Sequence, residues 1–228
     1  MYPFFFDWTF LLLIPALMLA FYAQMRVRSA YERYSRMRAG SGMTGAQVAR
    51  QLLDRNGLSN VVVEKTSGVL SDHYDPRKQV LRLSEAIYSS NSIAALGVAA
   101  HETGHALQHG TGYLPLMLRN NFVPVVNLGT SLAFPLFFIG FLFRGPILMD
   151  IGIILFSLAV VFHLITLPVE FDASRRALGL LAREGYLRRD EVGSARAVLN
   201  AAAWTYVAAA AVAAVQLVRL LLLRGQRD

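Results

Sequence analysis

Four long apolar blocks constrain this chain more than any other feature. They run from Phe4 to Tyr22, Phe122 to Phe143, Ile147 to Val169 and Ala201 to Leu223. Each is long enough to cross about 30 Å of hydrocarbon as a helix rising about 1.5 Å per residue. In lipid the backbone must satisfy its own polar groups, so blocks of this kind span as helices. Over the 228 residues the hydrophobic share is 55% and the mean hydropathy +0.43, too apolar for a soluble domain of this length.

The charges say which way the spans face. Arg26, Arg28, Arg33, Arg36 and Arg38 follow the first block, whereas a cleaved signal peptide carries its basic residues in front. The first block, with Asp7 at its outer edge and Pro15 within it, therefore reads as a retained anchor. The stretches Met25–Asn121 and Glu170–Asn200 hold most of the Arg and both Lys, which places them in the cytoplasm. The Arg144-Gly145-Pro146 turn and the Arg224–Asp228 tail then fall outside; the basic tail is the feature that argues against this count. The net charge of +7 lies beside the apolar blocks, which suits anionic lipid heads rather than nucleic acid.

Between the first two spans the signals change to those of a small folded portion. Met25–Arg38 continues as a basic stalk, ended by Ala39-Gly40-Ser41-Gly42. Thr44-Gly45-Ala46-Gln47 has the form of a capping box and opens a helix with Val48, Leu52 and Leu53 on one side, stopped by Asn56-Gly57. Val61–Lys65, Val69–Tyr74 and Gln79–Leu83 read as strands, with a turn at Asp75-Pro76-Arg77-Lys78. An exposed strand there is either a platform for an extended peptide or only a support for the helix that follows. After the third span, Glu170–Arg176 continues as helix to about Glu184, closed by Gly185, and Asp190-Glu191 opens the helix that leads into the fourth.

The chemistry lies in Ala99–His109. It contains His-Glu-x-x-His on a helix expected over Ile93 to His109, capped by Asn91 or Ser92 and closed by Gly110. Positions four apart nearly eclipse on a helix, so His101 and His105 point the same way and can share one zinc ion. Glu102 then sits where its carboxylate reaches a water without binding the metal. The small residues before the motif, Ala94, Ala95, Gly97, Ala99 and Ala100, let neighbours approach closely. With no Cys in the chain, any third ligand is His or carboxylate. Glu170 is the choice: it lies at the cytoplasmic end of the third span, where an ionisable group is costly without a function. Asp172 is the rival but points to another face of the helix. Ser174, one turn after Glu170, can orient a ligating imidazole.

The other histidines have weaker claims. His101, His105 and His109 together span about 12 Å of helix, too far for one ion. His163 lies inside the third span, bonded to a neighbouring helix or lining a polar cavity. His73 is either a donor to the oxyanion of an attacked carbonyl or a simple turn residue.

Asp72–Arg77, Val80–Ser84, Ala99–Ala106 and Glu170–Arg176 together resemble the YugP-type neutral zinc metallopeptidases of bacteria, over nearly the whole chain. The resemblance implies a membrane-embedded zinc peptidase, with a more distant likeness to the HtpX-type membrane proteases. Those carry Glu, an aromatic residue, any residue, Ala and Asp, with that Glu as third ligand. Glu170-Phe171-Asp172-Ala173 fits, and Ser174 departs from their Asp.

The expected molecule is a mainly α-helical membrane protein with about four transmembrane helices and a small cytoplasmic α+β, zincin-like portion. Its parts are an anchor (1–24), a cytoplasmic portion with sheet and metal helix (25–121), a transmembrane hairpin (122–169), cytoplasmic helices with the third ligand (170–200) and a last span and tail (201–228). One Zn2+ is held by His101, His105 and Glu170. Glu102 is the general base, His73 a further catalytic candidate and Ser174 the residue behind a ligand. Expected partners are the lipid bilayer and a peptide or membrane-protein substrate, with a homo-oligomer or an adaptor as further candidates. The expected place is the bacterial inner membrane, with the site facing the cytoplasm. The alternatives are an adaptor in which zinc only staples helix to span, and a transporter built on Asp150 and His163, for which too few polar groups lie at midmembrane depth.

Overall fold

The computed structural model describes residues 8–68 and 71–226. Asp7, the first residues of the opening apolar block, Val69 and Leu70 at the head of the expected second strand and the Arg227-Asp228 end of the tail lie outside the described residues.

The chain is mainly helical. A 3-10 turn over Trp8–Leu12 leads into α1 (Leu13–Tyr34), followed by α2 (Gly45–Arg55). Three strands follow, β1 (Val62–Thr66), β2 (His73–Asp75) and β3 (Val80–Ser84). A single turn, α3 (Glu85–Tyr88), precedes α4 (Ile93–Gly110), α5 (Leu114–Phe143), α6 (Pro146–Arg183) and α7 (Arg189–Gly225). Among the described residues, four helices are long and apolar enough to cross a membrane: Trp8–Tyr34, α5, α6 and α7.

Local signals explain the ends. The Thr44 side chain accepts from Gln47 N while the Gln47 side chain accepts from Thr44 N, which closes the expected capping box on α2. Ser92, of the two candidates, caps α4 by accepting from Ala95 N at 3.1 Å. Glu191 accepts from Arg188 N at 2.8 Å at the start of α7, and also from Gly40 N at 2.8 Å. Two ends depart from expectation. The stalk leaves the helix after Tyr34, and its continuation pairs with the approach to α4, Ala39 N donating to Asn91 O and Ile93 N to Met37 O. The second apolar helix starts at Leu114 rather than Phe122, because Leu114–Asn121 carries no stop signal other than Pro115, which is tolerated in a first turn.

The chain divides into two compact units. One comprises Met1–Gln24, Met117–Leu167 and Trp204–Asp228; the other comprises Met25–Leu116 and Pro168–Ala203. In the first, α5 and α6 pack closely where a small residue permits it. A Cβ on Gly152 would stand 2.7 Å from Ala133 O, so this crossing admits no larger side chain. Phe137, Met149 and Leu220 form the buried centre of that unit.

In the second unit the sheet runs β1-β3-β2, with β1 parallel and β2 antiparallel to β3. Asp72, just before β2, stands outside the ladder and accepts from both Ser84 N (2.7 Å) and Ser84 Oγ (3.0 Å). The sheet and α2 share α4. Val48 and Leu52 pack with Ile93, Leu96 and Ala100 in one cluster, and Ala49 and Leu53 with Leu81, Leu83, Ala95 and Ala99 in another. The small residues of α4 make the approach of α2 possible, as the sequence suggested.

Candidate metal centre

Helix α4 carries both histidines on its buried side. His105 and Glu102 are buried, and His101 is half-buried. The two imidazole rings stand edge to face, 4.7 Å between centroids. Helix α6 reaches them from the other side. Gly104, midway between the histidines, lies so close to α6 that a Cβ there would stand 2.7 Å from Ala173 O. This contact brings Glu170, one turn earlier on α6, onto the imidazoles.

The Glu170 carboxylate is buried. Its Oε2 lies 3.2 Å from His101 Nε2 and 3.6 Å from His105 Nε2. One donor atom from each of the three residues falls within 4.8 Å of the others. Around a tetrahedral zinc ion with bonds of about 2.0–2.1 Å, donor atoms stand about 3.3 Å apart. The spacing of the group therefore fits such an ion. Burial lowers the proton affinity of His105, but its hydrogen bond to Glu170 and the charges of Glu102 and Glu170 outweigh that and hold its pKa above the usual value.

The far nitrogens of both rings also have partners. Ser174 Oγ lies 3.1 Å from His101 Nδ1, and Gln108 Oε1 lies 3.0 Å from His105 Nδ1. Both Nε2 atoms are thereby turned toward Glu170. Glu102, adjacent to His101, makes no hydrogen bond or ion pair with any described residue.

Asp172 is no part of this group: it accepts from Gln108 Nε2 at 3.0 Å and from Arg176 Nε at 2.6 Å. His109 pairs with Tyr74 Oη through Nδ1 at 2.9 Å. His73 is exposed on β2, with Nδ1 2.8 Å from Ser71 O and Nε2 3.3 Å from Arg82 Nη1, and the structure does not bring it into the cluster. His163, half-buried in the third span, makes a ring contact with Phe162 at 6.0 Å. Sequence reasoning missed Gln108. A signal was there: it is a polar residue one turn past His105 on a face that is otherwise buried.

Residues 9–225 match the model of a family described as "Putative neutral zinc metallopeptidase". The chain belongs to this family. It is also 51% identical over 213 residues to a Bacillus subtilis (strain 168) protein described as "Putative membrane protease YugP", a match covering 93% of this chain and 94% of that one. No solved structure matches the chain. Membership carries the cofactor with it: this is a zinc peptidase family, and His101, His105 and Glu170 are positioned to bind a metal ion. The relative's description as a membrane protease agrees with the four apolar helices.

Proposed function

We propose that this protein is a membrane-embedded zinc endopeptidase that hydrolyses peptide bonds of protein substrates at the cytoplasmic face of the membrane. The observation that carries the reading is the convergence of two imidazole Nε2 atoms from α4 on one buried carboxylate of α6, with an unengaged carboxylate beside them.

His101, His105 and Glu170 hold the metal in this reading, the ligand set of a gluzincin. Zinc bound there supplies Lewis-acid activation of a water molecule and of the scissile carbonyl. Glu102 takes the proton from the attacking water and passes it to the leaving amine as the peptide bond breaks. Two helical features set up that exchange: its position next to His101 brings the carboxylate to the ligand side of α4, and its freedom from other bonds leaves it able to accept. Ser174 holds the His101 ring from behind. His73, exposed and facing Arg82, is left outside the machinery.

The cytoplasmic face rests on charge. Arg26, Arg28, Arg33, Arg36 and Arg38 follow the first span, and Arg175, Arg176, Arg183, Arg188 and Arg189 lie between the third and fourth. This topology keeps the proposed parts: anchor 1–24, portion 25–121, hairpin 122–169, helices 170–200 and last span 201–228. The bilayer and a peptide or membrane-protein substrate are the partners it requires.

The test is Glu102→Gln in the full chain in detergent. Zinc content stays near one per chain, while cleavage of an unfolded protein substrate falls by about 10²–10⁴-fold. Cleavage at the parent rate would refute the general-base role. A parent chain that holds zinc and cleaves nothing would favour the adaptor reading instead.

A further inference from the structure

Gln108 is a fully buried polar residue on the metal helix, and its amide contacts fix how it must be oriented. Its Nε2 lies 2.8 Å from the carbonyl oxygen of Val169 and 3.0 Å from Asp172 Oδ2. A backbone carbonyl can only accept. Asp172 Oδ2 already accepts from Arg176 Nε at 2.6 Å. The amide end that faces these two oxygens must therefore be the NH₂ group. That leaves the amide oxygen toward His105 Nδ1, 3.0 Å away. An amide oxygen can only accept, so Nδ1 carries a hydrogen and donates it. The lone pair of a neutral His105 is then on Nε2, the nitrogen that faces Glu170.

The contrast with His101 shows why this matters. Its Nδ1 faces Ser174 Oγ at 3.1 Å, and a hydroxyl can donate or accept. Ser174 can serve either tautomer; Gln108, held from two sides, serves one.

We infer that Gln108 is a positioning residue that, with Asp172, locks His105 in the Nδ1–H tautomer and so prepares Nε2 for the metal. The lock is operated from α6. Residues 169 to 172 of that helix supply the carboxylate ligand and also dictate the amide that orients an opposing imidazole. Arg176, which holds Asp172, lies over the Tyr113 ring at 5.6 Å, so the chain of contacts ends in the loop that leaves α4. One short segment of α6 thus governs two of the three ligands.

This inference rests on the ligand set proposed above, and the experiment separates the two. Zinc affinity is measured by competition with a chromophoric chelator on the full chain in detergent, with the melting point of the zinc-free protein as a fold control. His105→Ala tests the ligand set and is expected to abolish tight binding. Gln108→Leu removes the acceptor at similar volume and is expected to weaken zinc about 10–100-fold with the zinc-free melting point unchanged. Gln108→Met, unbranched and close to glutamine in length, also removes the acceptor and is expected to weaken zinc to the same degree. A His105→Ala loss alongside parent affinity in Gln108→Leu overturns the lock and leaves the ligand set standing. If Gln108→Leu does not fold, Gln108→Met decides, and parent affinity in it overturns the lock.

Discussion

Gly104 illustrates how a single missing methyl group positions the site. It separates the two histidines on α4 and allows the backbone of α6 to approach, with Ala173 O only 2.7 Å from where a Cβ would be. Gly104→Ala must push the helices apart, and overpacking of this kind costs about 1–3 kcal/mol. The expected result is a lower melting point together with loss of retained zinc, read by elemental analysis after dialysis; full zinc occupancy would show that the helices accommodate the methyl. Glu170→Gln changes charge and not shape. The two imidazoles then face a neutral amide, so zinc affinity should fall at least about tenfold, while the zinc-free protein still folds. Equal affinity in that variant would remove Glu170 from the ligand set.

At the level of elements, much was legible in advance. The Thr44 capping box, the Ser92 cap, the stops at Asn56-Gly57 and Gly185 and the Arg144-Gly145-Pro146 turn each depend on neighbours a few residues away, and local rules read them. Where two elements meet, those rules failed. Among the described residues of the expected second strand, Ser71 and Asp72 stand outside the ladder, Asp72 bonding to Ser84 twelve residues away, and the stalk ended early because it pairs with the approach to α4. Helix α4 gives a measurable case of the local kind. Ser92→Ala leaves Ala95 N without its acceptor and should lower stability by about 1 kcal/mol, seen as a modest drop in melting point. Because the ligands lie further along the helix, zinc affinity should not change; a loss of affinity would mean that the start of α4 is coupled to the site.

For the whole molecule, a zinc ion held by the proposed ligands would tie α4 to α6. Metal that binds only the folded state stabilises it by mass action, by about 4 kcal/mol at a thousand times its dissociation constant. Chelation should therefore lower the melting point and stop cleavage together, and added zinc should restore both. Recovery of stability without activity would mean that the ion is structural. Sidedness is a separate question, carried by the Arg flanking the spans. A reporter fused after Asp228 should be extracytoplasmic and one inserted within residues 56–60 cytoplasmic; the reverse would overturn the four-span orientation.

Periodicity and composition alone determined that four blocks form long apolar helices, that His101 and His105 share a face of α4, and that Glu102 lies beside them. Those follow from the pitch of a helix and from the need of a backbone in lipid to bond within itself. The sequence singled out Glu170 over Asp172, but only the tertiary structure brought a carboxylate onto the imidazoles. It placed Glu170, sixty-nine residues from His101, within 3.2 Å of its ring and gave Asp172 to Gln108 and Arg176. It also turned His73 toward Arg82 and away from any part in the cluster. The physical reason is that pitch sets direction within one helix, whereas the meeting of two helices depends on how closely their surfaces can pack, and here that was decided at Gly104.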